Sequence, residues 1–442
     1  MISASRSSLT VRLAFILACL GVTWASGSLV DRAATQQSDI STFYRTAQAI
    51  RGGVTAEFYG QPDERGGRRC IPPAGTMFFG YMPWLSAAGA AAVWLVFNLG
   101  LLVLGAWALG RVFGRLERHR RLYRRIWPWA VMLLMVLSVD ALQVGQFSLL
   151  FTTCWLLYLA LDSGFAAAAM LMLPAAIKIY PALLWAVPLA RRQGRQLLWL
   201  APAALLIGVL LPLSLYGTHL PDMWRGFFRH TIVRSADSRL GDMFSPKEEA
   251  NQSLDNQLFR ALTDQPEFNE KYPHFPHLHL PPEGVAKLAA ALKLGLLLAT
   301  ALAAWRLGSR SRAQPRWTAL LMLGLWSVTL VLLLPENKAP YIVYCFPGWL
   351  PVLAMLAARS RHRRLPWHCA AVVALGLASL IQTMPHAVRC YGPALVATVA
   401  LWAILLRAAW QARLPATGTH HEGRGRGPDR PDGLGRVRED VE

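Results

Sequence analysis

Four polar segments of the chain hold the residue types best suited to chemistry, and they lie between long apolar stretches. One supplies an aspartate, one a glycine–glutamine pair, one a lysine, and one a run of amides followed by an arginine. Ionisable groups at a membrane boundary are costly and are commonly kept there for function. The residues concerned are Asp39, Gly145 with Gln146, Lys178 with Tyr180, and Asn251, Gln252 and Ser253 with Arg260.

Asp39 is a candidate site carboxylate, shortly after the first apolar stretch of the chain. Apolar residues follow it at three- and four-residue spacing, so residues 39–51 are predicted to form an amphipathic helix on the membrane surface. Tyr44 belongs to this helix. The alternative is structural, since an aspartate at the start of a helix commonly caps it.

Lys178 is the candidate phosphate ligand, since lysine binds phosphate as a point charge. A single helix through residues 164–190 would bury this lysine in mid-bilayer, at a cost of roughly 2.5–3.5 kcal/mol. Pro181 disfavours such a helix, so the chain is predicted to turn at residues 178–181 and return as a re-entrant hairpin. The alternative is a lysine whose ammonium group only reaches toward water.

The other polar candidates have structural explanations of equal or greater weight. Gly145 and Gln146 form an uncharged turn that is either part of a site or a cap between two short helices. Asp140 is either a site residue or one member of a buried pair. A metal site, a glycosylation sequon and a disulfide are weaker possibilities, carried respectively by His274, His277 and His279, by Asn251–Ser253, and by Cys70 with Cys390.

The amino-acid composition indicates the kind of structure that must hold these residues in place. Of 442 residues, 54% are hydrophobic and 16% are charged, whereas soluble domains carry about 25% charged residues. The apolar residues occur in blocks, and a membrane-crossing helix needs roughly 20 of them. A soluble enzyme, a disulfide scaffold and a disordered protein are therefore excluded, and an all-α integral membrane protein is predicted.

The formal charge of +20 follows from membrane topology. Four short loops, at 111–125, 191–195, 306–316 and 359–364, hold 18 Lys or Arg against one carboxylate. Two long loops are mixed: 31–83 has six cations and five acids, and 217–284 has seven and ten. Short basic loops stay in the cytoplasm, so the four candidate segments share the extracytoplasmic side. A nucleic-acid partner is not expected.

About twelve transmembrane helices are predicted, with both termini cytoplasmic. Residues 1–26 also fit a cleaved signal, but a retained first helix is favoured because many apolar spans follow. Residues 412–442 are predicted to be a disordered cytoplasmic tail. The predicted spans are 12–30, 84–109, 128–143, 148–161, 164–176, 181–190, 197–216, 285–305, 317–334, 341–358, 367–384 and 391–411.

Two motifs resemble a central signature of glycosyltransferase family 87: residues 144–150, reading Val-Gly-Gln-Phe-Ser-Leu-Leu, and residues 177–181, reading Ile-Lys-Ile-Tyr-Pro. Asp39 with Tyr44, and Asn251–Leu254 with Arg260, agree with that family over roughly residues 35–355. The chain departs from it at residues 334–341, where a Ser-Pro pair and histidine are usual. Here Asn337 or Lys338 takes that role, or the acceptor differs.

The resemblance implies a fold of the GT-C type over residues 1–411, in a multi-pass protein of the bacterial inner membrane. It implies transfer of a hexose, with mannose favoured, from a polyprenyl-phosphate donor to a lipid-linked or envelope glycan acceptor, with inversion and without a metal or other cofactor. Asp39 would be the base, and Lys178, Gln146 and Tyr180 would hold the donor phosphate. The remaining substrate-binding candidates are Tyr44, Asn251, Gln252, Ser253, Arg260, Asn337, Lys338 and Tyr341.

Two other classes of protein fit parts of the pattern. A transporter or flippase of lipid-linked sugars would use the same outer cavity and the same lysine, because broken helices with polar turns are common in transporters. The two long mixed-charge loops favour an acceptor platform over a rocking transport path. A structural membrane scaffold is the third class, and there Asp39 and Lys178 would tolerate substitution.

Overall fold

The computed structural model describes most of the chain, and every structural statement below concerns that part. The described residues are 2–35, 38–53, 58–60, 71–116, 120–161, 164–233, 251–264, 278–310, 315–335, 337–359, 368–369, 371–373 and 391–411. Cys70, Cys390, His274, His277 and the predicted tail at 412–442 lie outside it, as does most of the predicted span 367–384.

The described residues form helices joined by short turns, and they include no β-strand. The helices are α1 (Ile2–Ala34), α2 (Asp39–Arg51), α3 (Pro73–Thr76), α4 (Ala87–Arg115), α5 (Arg120–Val144), α6 (Ser148–Leu161), α7 (Gly164–Ile177), α8 (Ala186–Ala190), α9 (Gly194–Thr231), α10 (Leu254–Leu262), α11 (Pro282–Arg310), α12 (Pro315–Leu333), α13 (Phe346–Arg359) and α14 (Pro393–Gln411). Short 3₁₀ helices occupy Met77–Phe79, Met82–Trp84, Tyr180–Trp185 and Ala339–Cys345.

Seven helices of the described part are long and apolar enough to cross a membrane. An all-α protein with several membrane-spanning helices is therefore present, whereas the count of twelve crossings stays a prediction. Three further apolar pieces are too short to cross alone: Ser148–Leu161, Gly164–Ile177 and Tyr180–Ala190. The seven are Ala87–Arg115, Ile126–Val144, Gly194–Thr231, Pro282–Ser309, Pro315–Leu333, Pro340–Ala358 and Pro393–Gln411.

The helices divide into a buried centre and a peripheral layer. Most of the apolar window in α5 and in α12 is buried, whereas about a quarter of it is buried in α4, α9, α11 and α14. The peripheral helices expose leucine, valine and tryptophan along their outer sides. Such a surface suits contact with lipid, because hydrocarbon does not penalise exposed apolar side chains.

The hairpin predicted at residues 178–181 is present. After α7 ends, the chain bends at Lys178 and Ile179 and returns as a 3₁₀ helix and then α8. The indole N–H of Trp185 donates to the carbonyl of Leu171 at 3.3 Å, which joins the two arms side by side. At the opposite end, the backbone N–H of Gly164 donates to the Gln196 side chain at 3.1 Å.

The helix predicted to end at residue 216 breaks there, at Tyr216. Helical structure that was not predicted then resumes and continues through residues 217–231. Gly217 has φ 53° and starts a 3₁₀ turn that carries the chain into the next helical segment. Beyond it, Leu220, Met223 and Phe227 recur at helical spacing and are buried, so their burial offsets the break at the glycine.

Candidate functional site

Asp39 is the first residue of α2, but it does not cap this helix. The cap is Ser38, whose hydroxyl group accepts from the Ser41 backbone N–H at 3.3 Å. Because Ser38 meets this need, the Asp39 carboxylate is directed elsewhere. One of its oxygens accepts a hydrogen bond from the side-chain amide of Gln146. The structural alternative for Asp39, an N-cap, is therefore wrong.

Gly145 allows this contact by bringing the turn after α5 against α2. Its φ is 78°, a left-handed conformation that favours glycine. A Cβ atom there would lie 3.0 Å from the Ile40 Cβ and 3.1 Å from the Leu29 Cδ1. The Gly145 carbonyl accepts from the Trp94 indole N–H at 2.9 Å. The Gly145–Gln146 turn thus ends one helix and also places a polar side chain on Asp39.

Lys178 is half-buried at the tip of the hairpin and is held by two phenol rings. Its ammonium group lies 5.1 Å from the ring centroid of Tyr341 and 5.8 Å from that of Tyr180. It also donates to the Tyr341 hydroxyl at 3.4 Å. Within the described part of the chain, Lys178 forms no ion pair with a carboxylate. The arrangement presents a positioned cation whose charge is not neutralised by these residues.

A continuous aromatic cluster joins the aspartate turn to the lysine turn. Its first half packs around Phe147, the residue after Gln146, which contacts Phe43 of α2 at 5.2 Å between ring centroids. Its second half stacks Phe151 on Tyr344 at 5.9 Å and Tyr344 on Tyr341 at 5.7 Å. Aromatic pairs are worth about 0.5–1.5 kcal/mol each, so the two turns are firmly connected.

Residues 251–253 are fastened to the segment that leads to Tyr341. The Asn251 side-chain oxygen accepts from the backbone N–H groups of Ser253 and Asn337, both at 3.0 Å. The Gln252 backbone N–H donates to the Asn337 carbonyl at 2.8 Å. Ser253 caps α10 by accepting from the Asn256 N–H at 3.2 Å. Residues 251–253 and Asn337 therefore form a structural latch between the two segments.

Helix α10 carries polar side chains that are fully enclosed. Asn256 and Arg260 have no exposed surface, nor has Gln252 just before the helix, and Asp255 forms an ion pair with Lys293 of α11. Buried charges are stable only when paired or hydrogen-bonded. The latch and this ion pair hold α10 in one position. Arg260, on the same helix, is buried inside the protein.

The remaining candidates are more peripheral or structural. The Tyr44 hydroxyl donates to the Leu85 carbonyl at 2.9 Å, which ties α2 to the start of α4. Lys338 is half-buried beside Asn337. Asp140 is completely buried within α5. His279 lies 3.9 Å from the exposed Asp264 carboxylate, and no group of three metal-ligating side chains occurs among the described residues.

Tyr344 was not among the predicted site residues. Its hydroxyl lies 3.0 Å from that of Tyr180 and it also contacts Ser148, so it connects both turns directly. The signal in the sequence was its spacing from Tyr341. Residues three apart eclipse each other on a 3₁₀ helix, and residues 339–345 form one.

The fold and the site together define a polytopic membrane protein. An aromatic cluster joins its polar turns, Gly145–Gln146 and residues 178–181, at one end of a helix bundle. The model of glycosyltransferase family 87 matches residues 71–335. The chain belongs to this family, as the sequence motifs indicated. The match includes Gln146, Lys178 and α10, whereas Asp39 and the segment 337–341 lie outside it. No significant match occurs among curated proteins or among solved structures.

Proposed function

We propose that this chain transfers a hexose, with mannose the favoured sugar, from a polyprenyl-phosphate donor to a lipid-linked or envelope glycan acceptor. Membership of glycosyltransferase family 87 gives the reaction class, and the donor, sugar and acceptor are part of the proposal. The reaction would take place at the extracytoplasmic face of a bacterial inner membrane, with both chain termini in the cytoplasm.

The observation that carries the proposal is the environment of Lys178. Its ammonium group is held by Tyr341 and Tyr180 and has no carboxylate partner among the described residues. The negative charge that develops on a departing lipid phosphate would supply the missing counterion. Charge stabilisation of this kind is commonly the largest contribution to catalysis.

Asp39 would be the general base. In a single displacement, the acceptor hydroxyl attacks the sugar carbon, its proton passes to the Asp39 carboxylate, and the bond to the phosphate oxygen breaks with inversion. The Gln146 amide, which donates to Asp39, would orient the carboxylate. General-base assistance is worth about 10²–10⁴-fold in rate.

The acceptor would lie against the latch between α10 and the segment before Tyr341. Asn251, Gln252 and Ser253 would shape this surface mainly through the backbone, because their polar groups bond to the segment at Asn337 and within the start of α10. Arg260, which is buried in α10, would support this surface from inside the protein. Asn337 and Lys338 remain the candidates for the role that histidine usually has in the family.

Metal independence belongs to the same proposal, because a monophosphate leaving group has less charge to neutralise than a pyrophosphate. Lys178 is the cation that would meet that charge, with Gln146 and Tyr180 as the other phosphate ligands. Turnover is therefore expected to persist in a metal chelator. Loss of turnover on chelation, with recovery when Mg²⁺ or Mn²⁺ is added back, would contradict this part of the proposal.

The test is a reconstituted assay with purified protein in lipid vesicles, polyprenyl-phosphate-mannose and an acceptor extract. A transferase releases polyprenyl phosphate and labels the acceptor. A flippase moves intact donor across the membrane and releases none. Movement of intact donor without bond cleavage would replace the transferase proposal by the transporter alternative.

A further inference from the structure

A small cavity lies at the opposite end of the bundle from Asp39 and Lys178. It is formed where the ends of α4 and α6 meet the start of α12 and the residue after α8. Three of its lining residues are arginines, namely Arg115, Arg191 and Arg316, and Tyr158 contributes a hydroxyl group. The other lining residues are apolar, and none of the described lining residues carries a carboxylate.

The three guanidinium groups are fixed by backbone carbonyls. Arg115 donates to the carbonyl of Ala160. Arg316 donates to the carbonyl of Arg115 at 2.8 Å, and Arg191 donates to that of Pro315 at 3.3 Å. The arginines are therefore positioned by the ends of four helices and do not extend freely into solvent.

Arg191 gives a second and independent indication of a ligand. Its Nε atom is buried and has no hydrogen-bond partner among the described residues. The same guanidinium contacts the Tyr158 hydroxyl. A buried charged donor without an acceptor is costly.

We infer that this cavity binds a phosphate group, held by Arg115, Arg191 and Arg316. Guanidinium groups match phosphate oxygens in a bidentate geometry. A phosphate would accept from the buried Arg191 Nε. Basic pockets between membrane helices at the cytoplasmic side are known to hold lipid head groups.

This phosphate site is separate from the proposed transfer site. Helix α6 runs from Ser148, beside Gln146, to Leu161, beside the cavity; 14 residues of helix are about 20 Å long. The inference therefore does not depend on the proposed function. The phosphate would come either from an anionic lipid with a phosphomonoester head group or from free phosphate in the aqueous phase.

The test uses the purified full chain in a neutral detergent. The thermal unfolding midpoint is followed against short-chain phosphatidic acid, inorganic phosphate and, as a neutral reference, short-chain phosphatidylcholine. Arg191→Gln removes the buried Nε donor. If this variant folds poorly, Arg191→Lys replaces it, because lysine keeps the positive charge but lacks the bidentate guanidinium geometry. Arg192→Gln is the matched control, because Arg192 faces the Trp305 ring at 4.9 Å instead of the cavity.

Phosphatidic acid is expected to raise the midpoint of the wild type and of Arg192→Gln. Its apparent affinity for Arg191→Gln should be about 10- to 100-fold weaker, the effect of losing hydrogen bonds to a charged group. The same variant dependence with inorganic phosphate would assign free phosphate as the source. Equal affinity in Arg191→Gln and wild type, or no difference between either phosphate and phosphatidylcholine, would overturn the inference.

Discussion

At the scale of single residues, the role of Asp39 depends on its neighbour Ser38. An aspartate at the start of a helix normally satisfies the free N–H groups there. Because the Ser38 hydroxyl does so, the Asp39 carboxylate bonds to Gln146, more than 100 positions later in the sequence. The sequence shows both residues but not which of them caps the helix, so Asp39 was identified from the family resemblance.

Replacing Lys178 by alanine should weaken donor binding more than it alters folding. The change removes a half-buried cation that two tyrosine rings hold, so the apparent KM for the donor should rise about tenfold or more, the effect of losing one charged hydrogen bond. Lys287→Ala is the matched control, since Lys287 is an exposed lysine near the same end of the bundle. Donor titration of both variants in vesicles measures the effect, and equal KM values would remove Lys178 from the donor site.

At the scale of elements, the turn between α5 and α6 is the part of the site most sensitive to a small change. Gly145→Ala introduces a Cβ atom 3.0 Å from the Ile40 Cβ at a φ of 78°. A non-glycine residue in such a conformation costs about 1–3 kcal/mol. We expect a lower unfolding midpoint and reduced turnover, because Gln146 would be displaced from Asp39.

The control for this variant is Gly100→Ala, within α4. No atom lies within 4 Å of a Cβ at that position, and alanine favours a helix over glycine. Its unfolding midpoint and turnover should stay at or slightly above the wild-type values. If Gly145→Ala behaved like Gly100→Ala in both measurements, the close approach of α2 to the turn would be unimportant for the site.

Some of the elements that build the site could be predicted from the sequence, and others could not. The positions of α2, of the hairpin after α7 and of the break at Gly145 follow from apolar spacing, from Pro181 and from the cost of burying Lys178. The latch between Asn251 and Asn337 does not, because backbone hydrogen bonds between segments 86 residues apart leave no periodic pattern. The helical stretch at 217–231 was also missed, since it follows the break at Gly217 and depends on the tertiary packing of Leu220, Met223 and Phe227.

At the scale of the whole molecule, the arginines and the polar turns occupy opposite ends. Arg191 and Arg316 meet Arg115 at one end, whereas α2, the Gly145 turn and Lys178 lie at the other. The charge pattern predicts that the arginine end is cytoplasmic. The number of complete crossings could not be read from composition, because α6, α7 and the segment to Ala190 are apolar but too short to cross alone.

The orientation is tested by labelling single cysteines with a membrane-impermeant maleimide in intact cells, in a background with the native cysteines replaced. Asp264→Cys and Arg195→Cys both place the thiol at exposed positions. Asp264→Cys should react from outside, and Arg195→Cys only after the cells are permeabilised. Labelling of both positions from the same side would contradict the topology.

In the proposed reaction, Asp39 and Lys178 act together to transfer a sugar from a lipid phosphate. The most direct measurement is release of polyprenyl phosphate from bound donor after the acceptor extract is added, by the wild type and by Asp39→Asn reconstituted in the same vesicles. Asp39→Asn should bind the donor as tightly as the wild type and release polyprenyl phosphate about 10²–10⁴-fold more slowly. Release at the wild-type rate would contradict the role of Asp39 as the general base.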